Sequence, residues 1–108
     1  MRRYVEAKFT FEGYHCWPEA PDECAFLRSR HRHLFAVRMG VLVSHSNRQV
    51  EFISLAAKGR AWVESQYTGG ELGTCSCEML AEELVEQFGL SYCSVREDDG
   101  NGALLYAE

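Results

Sequence analysis

Two stretches of strict alternation constrain this chain more than any other feature. In residues 3–15, Val5, Ala7, Phe9, Phe11 and Gly13 fall on one parity, and Tyr4, Glu6, Lys8, Thr10 and Glu12 on the other. In residues 31–43, Phe35, Val37, Met39, Val41 and Val43 share a parity, with Arg32 and Arg38 opposite. Period two over such lengths specifies half-buried antiparallel strands, and the pair is read as a hairpin. The apolar stripes also contain polar residues. His15 continues the first, and His31 and His33 begin the second.

Side chains at i and i+2 on a strand point the same way. If the two strands pair, as consecutive strands usually do, all three imidazoles face the side intended for the core. A single histidine there is most often a hydrogen-bonded core residue. Three of them, two at H-x-H spacing, satisfy one another only through a shared cation, because unpaired buried polar groups are costly. Three histidines that leave a fourth position open are the layout of a catalytic zinc site. Zn2+ is therefore the expected cofactor and His15, His31 and His33 its expected ligands. Glu97 shares its parity with Cys93 and Val95, so a carboxylate is expected on the same side. His45 falls in the turn-forming run SHSNRQ (44–49) and is expected in solvent.

The rest of the chain completes an α+β domain. Residues 16–30, with Pro18 and Pro21, form a loop. Val50, Glu51 and Phe52 are expected to resume a strand briefly. A helix follows over 53–65, weakened by Gly59. TGGELGT (68–74) is expected to be a loop. Ser76 is placed to cap a second helix, with Glu78 in its first turn and Gly89 ending it. LSYCSVRE (90–97) and ALLYA (103–107) supply the last strands around a DDGNG turn. The predicted order is ββααββ: one four-stranded antiparallel sheet with two helices on one face, as a single domain over residues 1–108.

Composition excludes several classes. Eleven basic against sixteen acidic residues give a formal charge of −5, which argues against non-specific nucleic-acid binding. The local cluster Arg28, Arg30, Arg32 and Arg38 reads more readily as a solvated face than as an anion site. No run of about eighteen apolar residues is present, so no membrane-spanning helix is expected. The alternating N-terminus is unlike a secretory leader. Five cysteines with no C-x-x-C pair fit reduced thiols in the cytoplasm rather than a disulfide framework or a structural zinc knuckle.

FTFEGYH (9–15), HRHLFAV (31–37), VEF (50–52), CEMLAEEL (77–84) and VRE (95–97) occur in the order found in the 6-pyruvoyltetrahydropterin synthase superfamily. Nearly the whole chain resembles it, and the closer branch is 6-carboxytetrahydropterin synthase, of 7-deazaguanine (queuosine) biosynthesis. The resemblance implies a zinc-dependent lyase acting on dihydroneopterin triphosphate or a related pterin, with release of acetaldehyde and triphosphate. It implies His15, His31 and His33 as metal ligands and Glu97 as the carboxylate anchoring the guanidine-like edge of the substrate. Ser76 and Glu78 would line the same pocket. Arg28, Arg30 and Arg32 would be in place to meet the triphosphate. It also implies a tunnelling fold, in which sheets of several subunits join into a barrel as trimers or hexamers.

Three departures from the family pattern bear on catalysis. The family's cysteine position is occupied by Leu27, with Cys24 three residues earlier and Cys16 as the alternative thiol. The family's Asp–His pair aligns with Glu64 and Ser65; glutamate can stand in for aspartate, but serine cannot carry a proton near neutral pH as histidine does. H-G-H is H-R-H here, with Arg32 on the opposite face. Cys24 and Glu64 are the expected proton-transfer residues. The alternative is a pterin- or purine-binding protein with altered catalysis on the same fold.

Overall fold

In the computed structural model, which describes residues 1–107, the alternating stretches become two long strands, β1 (Arg3–His15) and β2 (His31–Val43). They pair antiparallel along their whole length, with Phe9 opposite Val37, Gly13 opposite His33 and His15 opposite His31. The segment joining them, 16–30, is not a tight turn: it carries a kinked 3-10 stretch over Asp22–Leu27.

The remaining elements are α1 (Phe52–Gln66), β3 (Glu71–Gly73), α2 (Cys77–Phe88), β4 (Tyr92–Glu97) and β5 (Gly102–Tyr106). The sheet order is β3-β1-β2-β4-β5. The architecture is α+β, as expected, but the sheet has five strands and is mixed rather than four-stranded and antiparallel. β3 lies parallel to β1 at Tyr14 and His15, so the order of elements is ββαβαββ. Three residues are too few to carry an alternation signal, and the flanking glycines read as loop. Buried Leu72 anchors the strand.

A second correction concerns residues 50–52. They form no strand: Glu51 is the N-cap of α1, its carboxylate accepting from the Ser54 N–H at 2.5 Å. Three residues again cannot separate a strand from the entry to a helix. At α2 the expected signals operate as read. The Ser76 hydroxyl accepts from the Met79 N–H at 3.1 Å, and Gly89 closes the helix at φ 61°.

Both helices cover the odd-numbered face of the sheet. Leu55 and Val63 of α1, and Leu80, Ala81 and Leu84 of α2, join Ala7, Phe9, Phe35, Val37, Met39, Cys93 and Val95 in one buried cluster. Gly59 serves this packing. A Cβ there would come within 2.6 Å of Met39 and 2.7 Å of Phe9, so the glycine lets α1 lie directly on β1 and β2. At one end of the same stripe, Phe11 and Phe35 stack across the strands at 5.2 Å, and beyond them the apolar residues give way to histidine. Among the described residues no helix is long and apolar enough to cross a membrane.

Candidate metal centre

Strand register alone brings the three imidazoles together. His15 and His31 are direct cross-strand partners and His33 is two residues further along β2 on the same side. Their ring centroids lie 4.6, 5.4 and 4.9 Å apart for the 15–31, 15–33 and 31–33 pairs. One ligand nitrogen from each falls within 4.8 Å of the others. Phe35 forms the floor, with its ring edge-on to His15 and His33. Gly13 makes room beside it, since a Cβ there would sit 2.9 Å from the Phe35 ring.

The hydrogen bonds of the rings fix their tautomers. His15 Nδ1 donates to the Cys75 carbonyl at 3.0 Å, and His31 Nδ1 donates to the Ser29 carbonyl at 2.9 Å. A carbonyl only accepts, so each Nδ1 carries the proton. His33 Nδ1 faces the Asp98 carboxylate at 2.6 Å and donates to it. Every neutral ring then presents a bare Nε2 lone pair. The Nε2 atoms of His31 and His33 are buried with no hydrogen-bond partner. Buried acceptors left in that state are costly, and a shared cation satisfies them. Neutral imidazoles oriented by acceptors at the other nitrogen are the usual form of histidine metal ligands. The residues present thus fit a divalent metal with imidazole affinity.

Glu97, at the end of β4, completes the polar cluster. Its carboxylate oxygens lie 3.0 Å from His15 Nε2 and 3.6 Å from His33 Nε2. The thiol of buried Cys77 donates to the same carboxylate at 3.7 Å. Burial, with the Glu97 charge as the second cause, pushes that thiol up to about 12. Burial also raises the Cys75 thiol. Neither sulfur is a ready thiolate; both are donors at neutral pH.

A cleft of about 350 Å³ opens beside this cluster, lined among others by His15, His31, Glu97, Ser76, Glu78 and Trp17. The expected binding residues Ser76, Glu78 and Glu97 therefore share one cavity wall with two of the histidines. Of the two expected proton carriers, neither lines it. Cys24 sits half-buried in the 3-10 stretch. Glu64 is exposed on α1 and borders a separate shallow cleft with Thr10, Arg60 and Tyr67. Cys16, Cys75 and Cys77 are the thiols that do reach the wall. His45 is exposed, as expected.

The arginines are occupied. Arg28 pairs with Asp22, Arg30 with Glu71, and Arg32 with Glu12. Arg38 on the far sheet face pairs with Glu6. All four guanidinium groups are thus in ion pairs at the surface.

Sequence reasoning missed Asp98. Its neighbour Glu97 has the right parity and Asp98 the wrong one, so alternation points its side chain away. The backbone overrides this. Asp98 and Asp99 both have positive φ, 52° and 59°, in a tight turn closed by Gly100 N–H to Glu97 C=O at 2.9 Å. Such φ values are unfavourable for most non-glycine residues, and aspartate is among the few that adopt them. They bring the Asp98 N–H onto the Leu34 carbonyl at 2.8 Å, while Oδ1 accepts from the Leu34 N–H at 2.9 Å. The Leu34 N–H and the His33 ring hold the Asp98 carboxyl below the usual carboxylate range. Comparison with protein-family models finds no match for the chain, and comparison with curated proteins finds none either.

Proposed function

We propose that this protein is a zinc-dependent lyase of the 6-carboxytetrahydropterin synthase type, acting on dihydroneopterin triphosphate or a related pterin. One observation carries the reading: three imidazoles converge with every Nδ1 satisfied and every Nε2 lone pair turned inward, next to a carboxylate in a ligand-sized cleft. Imidazole suits zinc, copper, iron and nickel, and three histidines with an open fourth position are the layout of a catalytic zinc site. His15, His31 and His33 would hold it, and a bound zinc would act as a Lewis acid on substrate hydroxyls. Glu97 presents two oxygens suited to a pair of parallel N–H donors, the recognition that a pterin's guanidine-like edge offers. Trp17 and Met79 give the cleft an apolar wall for a planar ring.

An assembly of several copies belongs to this reading. Among the described residues, the outer edge of β1 has a partner strand only at Tyr14 and His15, and β5 ends the sheet on the other side. Long open edges invite pairing, and joining them between copies would build the trimeric or hexameric barrel of the tunnelling fold. Five free thiols support a reducing, cytoplasmic setting.

A second reading has a specific observation in its favour. Cys24 and Glu64 lie off the cleft wall, and the Cys75 and Cys77 thiols are poor bases. A binder of pterin- or purine-like ligands, or an enzyme with different proton carriers, suits that arrangement. Metal analysis together with turnover separates the readings. The lyase reading expects about one zinc per chain, consumption of dihydroneopterin triphosphate, and loss of both on His31→Ala. Zinc-loaded protein that leaves this substrate intact while binding it selects the second reading. Protein that takes up no metal overturns the lyase reading.

A further inference from the structure

We propose that Asp98 is a positioning residue for metal binding: its carboxylate, clamped between the Leu34 N–H and the His33 ring, holds the His33 proton on Nδ1 so that Nε2 stays open to the ion. This rests on the reading of His15, His31 and His33 as metal ligands.

The three rings are oriented unequally. His15 and His31 are held by neutral carbonyls, of Cys75 and Ser29. Of the three Nδ1 partners, only that of His33 is an anion, at 2.6 Å. A carboxylate behind an imidazole fixes the ring's tautomer and raises the basicity of the distal nitrogen more than a carbonyl does. The carboxylate is itself fixed, because Oδ1 takes the Leu34 N–H while Oδ2 takes the ring. The backbone adopts positive φ at Asp98 to make this possible, and unfavourable backbone conformations concentrate where a site needs them. Asp99 shares the turn, the charge and the positive φ, but touches no imidazole among the contacts described.

That pair of aspartates supplies the test. Asp98→Asn keeps the side-chain shape and tolerates the left-handed backbone. Its amide oxygen can still accept from Leu34, but its NH2 then faces His33 Nδ1. The ring responds by carrying its proton on Nε2, the atom that must face the ion. Asp99→Asn makes the same change of charge one residue away.

Zinc affinity of the 108-residue chain is measured by competition with a chelator for wild type and both variants. Imidazole nitrogen NMR of the metal-free proteins reports the His33 tautomer. Asp98→Asn is expected to weaken zinc about tenfold or more, with His33 shifting from the Nδ1–H to the Nε2–H form. Asp99→Asn is expected to match wild type in both readouts. Equal affinities for the two variants, or an unchanged His33 tautomer in Asp98→Asn, overturn the inference while leaving the metal reading intact if wild type binds zinc. A wild type that binds no zinc overturns both.

Discussion

Glu97 Oε2 lies 3.0 Å from His15 Nε2, and the His15 proton is committed to the Cys75 carbonyl on the other side of the ring. Two acceptors at that distance repel unless a positive charge lies between or beside them. A divalent ion among the histidines would supply that charge, and Glu97 would in turn strengthen its binding by Coulomb attraction. Glu97→Gln keeps the volume and removes the charge. It is expected to lower zinc affinity several-fold, and a chelator competition that finds wild-type affinity would show that Glu97 plays no part in holding the ion.

Gly59 gives a prediction against ordinary helix propensity. Alanine in a helix interior is favoured over glycine by about 1 kcal/mol. Here the added methyl meets Met39 and Phe9 at 2.6 and 2.7 Å, and overpacking a filled core costs roughly 1–3 kcal/mol. Gly59→Ala is expected to lower stability by about 1 kcal/mol net, or roughly 4 °C in Tm. A thermal melt in which the variant gains stability would show that α1 can lift off the sheet without loss.

The buried thiols make stability fall in alkali. Burial pushes both Cys77 and Cys93 up to about 12 in the folded chain, from a reference value of 9.0. As pH rises past 9 the unfolded thiols ionise while the folded ones keep their protons, so the unfolded state binds fewer protons and is favoured. Urea midpoints are expected to drop steadily between pH 9 and pH 12, and Cys93→Ala to flatten that slope. Alkylation at pH 8 is expected to label the half-buried Cys16 and Cys24 and spare these two. Rapid labelling of Cys77 at that pH would contradict its assignment as a closed thiol donor to Glu97.

The histidine cluster was legible because a strand's periodicity is rigid. Once residues 3–15 and 31–43 alternate, parity places His15, His31 and His33 on one face, and pairing of consecutive strands makes them neighbours. The helix caps at Ser76 and Gly89 were legible for a similar reason, since they depend on a few adjacent residues. β3 was not, because Glu71–Gly73 becomes a strand only through its pairing with β1. Nor was the separation of Cys24 and Glu64 from the cleft, which depends on the path of the 16–30 loop and on which side of α1 faces the core.

The sequence by itself determined the two long strands, their buried face, and the three imidazoles at its end. Alternation is a local rule that survives any tertiary arrangement. Only the tertiary structure decided which groups stand behind those imidazoles: the Cys75 and Ser29 carbonyls, and the carboxylate of Asp98 turned back by positive φ. Those partners come from different segments, or from a backbone reversal that breaks parity, and no one-dimensional pattern records either.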